Sequence, residues 1–393
     1  MERFALSRMK EWKENENRKP LIIRGARQVG KTWIMKTFGQ QYFEKTAYVN
    51  FDNNARMKQV FEGDLDIERL VLAISAETGV SIEAENTLII FDEVQEVPKA
   101  LTSLKYFHEN APQYAIVAAG SLLGVALHQG TSFPVGKVDF LDLYPLNFRE
   151  FLCAMGEKQF VSMLDSCDTQ MVTVFKTKYI ERLREYYFVG GMPEVVKDFS
   201  EKKDYNRVRA IQKNLINYYQ QDFSKHAEIK LVPRLNLVWN SIPMQLAKEN
   251  KKYIYGQVRE GSRAKDFELA IQWLLDCGLI HKVQRIQKPD LPLKAYIDFD
   301  AFKLFLVDIG LLIAMTDLDA KVIIEGNKIF TEFKGSLTEQ YILQQLISDV
   351  GVIPYYYSTQ NSKGEIDFLV QGKTSVIPIE VKAEENLKAK SLK

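Results

Sequence analysis

A short stretch near the start of the chain has the spelling of a phosphate-binding loop. It reads GARQVGKT and matches the pattern G-x-x-x-x-G-K-[ST] at every position. Its residues are Gly25, Ala26, Arg27, Gln28, Val29, Gly30, Lys31 and Thr32. Glycine at both ends lets backbone N–H groups turn toward phosphate oxygens, and a helix that opens at Lys31 adds its own unpaired N–H groups. We expect Lys31 to reach the β- and γ-phosphates of a nucleotide and the Thr32 hydroxyl to bind Mg²⁺, with Trp33 completing the nucleotide site.

Two carboxylates follow an apolar run later in the chain. The run TLIIF is followed directly by Asp92 and Glu93. It is typical of a buried parallel strand, and such strands carry ligand-binding residues at their carboxyl ends. We expect Asp92 to hold Mg²⁺ and Glu93 to orient and deprotonate the water that attacks the γ-phosphate. Ser121, after the next apolar run, has two interpretations: a contact to the γ-phosphate or a cap for the following helix.

A second group of chemically useful residues lies near the C-terminal end. The strings GEIDFLV and VIPIEVK predict a hairpin that brings Asp367 close to Glu380, with Lys382 on the same face as Glu380. A predicted helix over 335–346 contains Glu339. Such a set can hold Mg²⁺ through Asp367 and Glu380 and polarise a water for attack on a phosphodiester. The sequence therefore predicts a nuclease-type site, although short acid-x-lysine strings are also common on amphipathic strands.

The elements that position these residues follow from the hydrophobic pattern. Up to Pro145, short apolar runs alternate with helical spacing, which predicts an α/β fold with a parallel P-loop sheet. The predicted strands are 21–23, 47–51, 87–93 and 114–119, and the predicted helices are 33–42 and 67–78. Residues 148–223 are predicted to be helical, with a turn at Gly190 and Gly191.

A winged helix is predicted after this helical stretch. Helices, the second of them over 263–277, precede two predicted strands at 279–285 and 293–299, and 252–255 is predicted as a short strand. Such a module either packs against protein or places its second helix in a DNA major groove, and Arg263 and Lys265 alone do not decide between these roles. The predicted domains are 1–150 (P-loop ATPase), 151–230 (helical extension), 231–325 (winged helix) and 326–393 (small α/β nuclease-like domain).

Composition limits the classes that this chain can belong to. Its 393 residues carry 52 Lys and Arg against 51 Asp and Glu, a net charge of +1, which excludes a uniformly basic nucleic-acid coat. The 3 cysteines and 4 histidines show no disulfide or metal spacing, which favours a reducing cytoplasm. Residues 1–20 are charged throughout and predict an amphipathic helix rather than a signal peptide. The sequence contains no run of about 18 apolar residues, so no membrane-spanning helix is predicted.

Several stretches together resemble a known family. They are GARQVGKT, LIIFDEVQ, AAGSLLG, PLNFREF, SIPMQLAKEN, WLLDCGLIHKV, FKLFLVDIGLL, GEIDFLV and IPIEVKA. They are similar to bacterial and archaeal AAA-type P-loop ATPases that carry a C-terminal domain of unknown function. The resemblance implies an ATPase domain, a winged helix and a PD-(D/E)xK nuclease-like domain in that order. It also implies Lys31 and Thr32 at the nucleotide, Asp92 and Glu93 at Mg²⁺ and water, and the four C-terminal residues as the nuclease-like set.

The chain departs from the family at two places. Lys137 stands where the resemblance leads us to expect an arginine, so the assignment of a charge-stabilising finger, for which Arg149 is the other candidate, stays open. The nuclease-like fold is expected to continue beyond Lys393, where the sequence ends.

Two functions of different class are predicted from these residues. The first is an enzyme that binds and hydrolyses ATP with Mg²⁺ and couples this to a nuclease-like domain acting on DNA. The alternative is a slow ATP-dependent switch that recruits DNA or protein without cleavage. ATP and DNA are the predicted partners, and assembly into a homo-oligomer is compatible with either function.

Overall fold

A computed structural model describes residues 2–120, 134–248, 252–325, 331–359 and 364–383. Ser121 and residues 384–393 lie outside the described residues. The chain divides into two compact units, one formed by Glu2–Tyr144 and the other by the residues from Pro145 onward.

The first unit is built on a five-stranded parallel sheet. Its strands are β1 (Leu21–Arg24), β2 (Lys45–Asn50), β3 (Thr87–Asp92), β4 (Ala115–Ala119) and β5 (Asp139–Asp142). They lie in the order β2-β3-β4-β1-β5, and every pair is parallel. The predicted α/β fold with a parallel P-loop sheet is confirmed for this part of the chain.

Burial on both faces explains the continuous apolar run of β3. All 6 of its residues are buried, as expected for a central strand of a parallel sheet that is covered on both sides. The helices of this unit are α1 (Ala5–Glu14), α2 (Lys31–Tyr42), α3 (Ala55–Glu62), α4 (Ile67–Thr78) and α5 (Pro98–Asn110). Phe51, Phe61 and Phe91 meet edge to face in the core between sheet and helices.

The second unit is largely helical. Its helices are α6 (Phe148–Ala154), α7 (Lys158–Asp165), α8 (Thr169–Val174), α9 (Lys176–Val189), α10 (Pro193–Lys202), α11 (Tyr205–His226), α12 (Val232–Leu246), α13 (Tyr255–Val258), α14 (Ala264–Asp276), α15 (Ile309–Met315), α16 (Ala320–Glu325) and α17 (Thr331–Gln345). The turn predicted at Gly190 lies between α9 and α10, and Gly190 has a left-handed φ of 75°.

A mixed sheet closes the second unit. Its strands are β6 (Ile280–Ile286), β7 (Ile297–Leu306), β8 (Tyr355–Ser358), β9 (Glu365–Gln371) and β10 (Val376–Ile379), in the order β10-β9-β8-β6-β7. The two strands predicted as a wing, β6 and β7, pair antiparallel, but β6 also pairs parallel with β8. The predicted boundary between 325 and 326 therefore runs through one continuous sheet.

Two predicted strands were placed wrongly. The strand predicted over 293–299 begins at Ile297 and runs to Leu306, because Leu293–Tyr296 form a 3₁₀ turn after Pro292. The segment predicted as a strand over 252–255 forms none; the Tyr253 N–H donates to the Phe302 carbonyl at 2.8 Å, and α13 then begins at Tyr255.

A buried carboxylate fixes the centre of the second unit. Asp308, at the start of α15, accepts hydrogen bonds from the Gly191 N–H (2.6 Å) and the Leu311 N–H (3.0 Å). Gly190 lies so near that a β-carbon there would collide with the carboxylate. The turn after α9 is thus joined to α15 through one side chain.

Two further expectations concern the whole chain. Among the described residues, no helix is long and apolar enough to cross a membrane. None of Cys153, Cys167 and Cys277 forms a disulfide.

Candidate functional site

The phosphate loop joins β1 to α2 through strained backbone. Gly25 has φ 145° and Gly30, which precedes the first turn of α2, has φ 95°. A β-carbon at Gly25 would also clash with the Leu143 carbonyl, so only glycine fits there. Gln28 adopts a left-handed φ of 65° between them. The left-handed positions of the loop are those that the sequence pattern predicts for a phosphate-binding turn.

The Lys31 side chain is buried and hydrogen-bonds to the loop that precedes it. It is 7% exposed, and its Nζ donates to the carbonyls of Gly25 (2.9 Å) and Ala26 (2.8 Å). The ammonium charge is thus fixed beside the N–H groups of the loop. Trp33, two residues further on, is 42% exposed at the edge of this region.

The loop and the end of β3 meet at Asp92. The Thr32 hydroxyl donates to Asp92 Oδ2 at 2.7 Å, and Asp92 is 3% exposed. An alcohol oxygen and a carboxylate at this distance form a hard oxygen pair, which suits Mg²⁺. The residues predicted for Mg²⁺ in the first unit are therefore brought together.

Tyr48 is a partner of Asp92 that the sequence analysis missed. Its hydroxyl donates to Asp92 Oδ2 at 2.9 Å from the neighbouring strand β2. Burial, together with the Asp92 carboxylate, raises the pKa of Tyr48, so this tyrosine stays a donor. The Lys36 ammonium lies 3.8 Å from the centre of its ring and fixes the other end of the side chain.

Glu93 leaves the strand in an unusual conformation. Its φ is 52°, in the left-handed region, and its N–H donates to Asp92 Oδ1 at 3.1 Å. The Gln95 amide donates to its Oε2 at 2.6 Å. The turn after β3 thus carries two neighbouring carboxylates, of which Glu93 is positioned by the Gln95 amide.

Arg3 supports the loop from the N-terminal segment. It is buried and donates to the carbonyls of Val29 (3.0 Å) and Tyr144 (2.6 Å). It was not predicted, because a single arginine in a charged segment carries no signal of its own.

Both candidates for a charge-stabilising finger have acidic partners in this structure. Lys137 lies 3.0 Å from Glu109 in the first unit. In the second unit, Arg149 contacts Asp165 and lies 3.0 Å from Asp349, at a largely apolar cavity of about 790 Å³.

The nuclease-like residues lie at one end of the second sheet. The β9–β10 register ends with Phe368 opposite Ile379, so Asp367 and Glu380 are next beyond the last pair. The Val381 N–H donates to Asp367 Oδ2 at 2.8 Å, and Lys382 donates to Glu380. The strand predicted over 376–382 ends at Ile379, so the prediction that Glu380 and Lys382 belong to it was wrong. The Val381 N–H bonds to the Asp367 side chain instead of to the backbone of β9.

The charges of these residues act on one another. Burial, followed by the charge of Glu339 on α17, raises the pKa of Asp367 to about 7. The hydrogen bond to Glu380 raises the pKa of Lys382, and the charges of Asp367 and Glu339 raise it further. The structure thus brings the four predicted residues Glu339, Asp367, Glu380 and Lys382 into one neighbourhood.

Lys303 and Glu365, which the sequence analysis did not predict, complete this cluster. Lys303 on β7 donates to Glu365 Oε1 at 2.6 Å and lies 3.5 Å from Glu339 Oε2. Within the described residues, no three Asp, Glu, His or Cys side chains are arranged to hold a metal ion. The carboxylates here face lysines and a backbone N–H, so this arrangement does not fit a bound divalent ion.

Three protein-family models match successive parts of the chain. An AAA domain model matches residues 17–152. A domain of unknown function (DUF8612) matches residues 180–322, and another (DUF4143) matches residues 334–393. A comparison with curated proteins found no match.

The solved structures that match this chain have low sequence identity to it. A Walker-type ATPase of Pyrococcus abyssi is 15% identical, with a TM-score of 0.49, covering 80% of this chain and 95% of its own. The Orc1 protein of Aeropyrum pernix in complex with DNA is 13% identical, with a TM-score of 0.30, covering 79% of this chain and 91% of its own. The parallel sheet, the geometry of the phosphate loop and the AAA domain match identify residues 17–152 as a P-loop ATPase domain of the AAA type.

Proposed function

We propose that this chain binds ATP at the phosphate loop and hydrolyses it. The observation that carries the proposal is the meeting of Lys31, Thr32 and Asp92 at the carboxyl end of the parallel sheet. A buried ammonium, an alcohol and a carboxylate at one helix N-terminus suit a phosphate chain and its metal ion.

Each residue has a distinct task in hydrolysis. The N–H groups of the loop and Lys31 neutralise charge on the transferred phosphoryl group, which is most of what such catalysis requires. Thr32 and Asp92 would hold Mg²⁺, which would help to neutralise the charge of the phosphate chain. Glu93, positioned by Gln95, orients a water and accepts its proton.

Glu93→Gln tests this assignment. We expect hydrolysis to fall by at least about 100-fold, because the amide cannot accept the proton, while ATP still raises the melting temperature. The nearby Glu96→Gln, on an exposed side chain, is the matched control and should hydrolyse ATP normally. Unimpaired turnover in Glu93→Gln would contradict the role of Glu93.

Tyr48→Phe tests the support of Asp92. We expect the Mg²⁺ concentration for half-maximal hydrolysis to rise about 10-fold, because Asp92 loses a donor that orients its carboxylate. The phenyl ring keeps its packing over Lys36. Tyr106→Phe, which packs against the core of the same unit, is the control. An unchanged Mg²⁺ dependence would show that Tyr48 does not position Asp92.

For the second unit we propose a role in binding DNA or protein without cleavage, and we favour this role over a nuclease activity. What supports this is that the carboxylates of the cluster face Lys303, Lys382 and the Val381 N–H rather than gathering for a metal ion. The nuclease-like interpretation rests on the order of α17, β8, β9 and β10. It also rests on Asp367 and its neighbours Glu339, Glu380 and Lys382. ATP state would control what this part of the chain binds.

The exposed side of α14 favours protein over DNA as the contact of the predicted winged helix. Arg263 at its start and Lys265, Glu268, Leu269 and Gln272 along it are exposed, which is a mixed rather than a purely cationic surface. Phosphate contacts dominate DNA affinity and need lysine or arginine. This helix therefore lacks the surface expected of a major-groove reader.

Incubation of the full chain with labelled DNA, Mn²⁺ and either ATP or a non-hydrolysable analogue separates the two roles. If the second unit binds without cleaving, the labelled DNA should remain uncut, both with wild type and with Lys382→Ala. Cleavage that is lost in Lys382→Ala would instead establish the nuclease. Because ATP turnover is measured separately, either result leaves the ATPase proposal to its own test.

A further inference from the structure

A lysine is fully buried in the long strand β7. Lys303 is 1% exposed and lies between Phe302 and Leu304, which are both buried. An ammonium group inside a protein is costly unless it is paired and hydrogen-bonded. The role of Lys303 is therefore defined by the groups that surround its Nζ atom.

Those groups come from three different elements. Glu365 on β9 accepts a hydrogen bond at 2.6 Å, Glu339 on α17 lies at 3.5 Å, and the centre of the Tyr356 ring on β8 lies at 4.7 Å. Burial lowers the pKa of Lys303, but the charges of Glu339 and Glu365 outweigh it, and the pKa is raised. The lysine is thus a cation held between two carboxylates.

We propose that Lys303 is the resident cation of the carboxylate cluster and holds Glu339 and Glu365 in place of a divalent metal ion. The cluster contains four carboxylates, those of Glu339, Glu365, Asp367 and Glu380, near two lysines. Lys382 is half-exposed and contacts Glu380 at the rim, whereas Lys303 lies inside. Lys303 is therefore a positioning residue, and its charge offsets the negative charge of the carboxylates, as a bound metal ion would.

This inference goes beyond the proposed function, because it states why the acidic residues do not gather around a metal. It predicts that removal of the lysine charge converts the cluster into a metal site. Three acidic side chains, those of Glu339, Glu365 and Asp367, would then lie around a vacated position with no cation, and divalent ions bind such oxygen sets.

The test measures melting temperature and Mn²⁺ binding without nucleotide. All proteins are full chains that carry Thr32→Ala, which removes one of the two metal ligands proposed in the first unit, so that the variants are compared on the same background. In EDTA, Lys303→Met should lower the melting temperature of the second unit on the order of 10 °C. Mn²⁺ should restore about half of the loss, and Lys303→Met should bind one Mn²⁺ that the parent does not bind.

Two further variants make the result decisive. Lys303→Met/Glu339→Gln should recover part of the stability in EDTA and lose the response to Mn²⁺, because the more deeply buried of the two uncompensated carboxylates is gone, whereas Glu365 is partly exposed. Lys282→Met, on the adjacent strand β6 with its ammonium over the Phe302 ring, removes a half-buried lysine that serves as control and should give no response to Mn²⁺.

Two results would overturn the proposal. One is Mn²⁺ binding by the parent at the affinity of Lys303→Met, which would mean that the lysine does not exclude a metal. The other is an equal, metal-independent loss in the single and double variants, which would mean that Lys303 only fills space. If Lys303→Met does not fold, the double variant decides: a folded double variant supports the charge role, and an unfolded one contradicts it.

Discussion

Alanine in place of Lys31 is expected to abolish both ATP hydrolysis and the stabilisation of the protein by ATP. The Nζ atom is fixed at the carbonyls of Gly25 and Ala26, beside the N–H groups that face a phosphate chain. Without it, the charge of the β- and γ-phosphates is opposed only by the loop dipoles and Mg²⁺, so the turnover rate should fall by at least about 100-fold.

Thermal unfolding separates lost binding from lost chemistry. A ligand at about 100 times its dissociation constant stabilises a protein by about 2.7 kcal/mol, which is a shift of several degrees. Wild type and Glu93→Gln should show this shift with ATP, and Lys31→Ala should not. Lys58→Ala, on an exposed lysine of α3, controls for the loss of a positive charge and should behave as wild type. An ATP-dependent shift that persists in Lys31→Ala would remove the phosphate loop as the nucleotide site.

The phosphate loop was predictable because its chemistry is written in consecutive residues. Glycine at 25 and 30 follows from the φ angles that the turn requires, and Lys31 follows from the helix that begins there. The helix predicted over 67–78 was confirmed to the residue, since the Asp66 side chain caps its start and Gly79 ends it with φ 68°. Local signals of this kind do not depend on the rest of the fold.

Contacts between distant strands were not predictable in this way. Tyr48 reaches Asp92 because β2 lies beside β3 in parallel register, and the apolar pattern of a strand does not state which strand is its neighbour. Lys303 was missed for the same reason, since its partner Glu365 is 62 residues away. The sequence also assigned these two residues to different predicted domains, whereas β6 and β8 join them in one sheet.

The buried carboxylate at the start of α15 has the largest expected effect on stability. Asp308→Ala should lower the free energy of unfolding by about 3–5 kcal/mol, because it leaves buried donors without an acceptor. Besides the N–H groups of Gly191 and Leu311, the Gln344 amide donates to Asp308 Oδ2 at 3.3 Å. The substitution also removes the N-cap of α15. Denaturant unfolding of the full chain, followed through the transition of the second unit, measures the loss.

Asp319→Ala is the matched control for the loss of an aspartate near a helix start. Asp319 is exposed and accepts a hydrogen bond from the Lys321 N–H at 2.8 Å. Its replacement should cost about 1 kcal/mol or less, as is usual for an exposed cap. Equal losses in the two variants would mean that burial of the Asp308 carboxylate contributes nothing of its own.

The pH dependence of this difference has a definite sign. Burial raises the pKa of Asp308 from 3.8 to about 6, against the hydrogen bonds that it accepts. Between these values the folded chain keeps a proton that the unfolded chain has lost, so the stability due to Asp308 is greatest below about pH 4 and declines as the pH rises through about 6. The gap between wild type and Asp308→Ala should therefore shrink by about 1 kcal/mol from about pH 5 to about pH 7.5. A gap that stays constant over this range would show that the carboxylate is ionised throughout and that its charge is stabilised by the surrounding N–H groups.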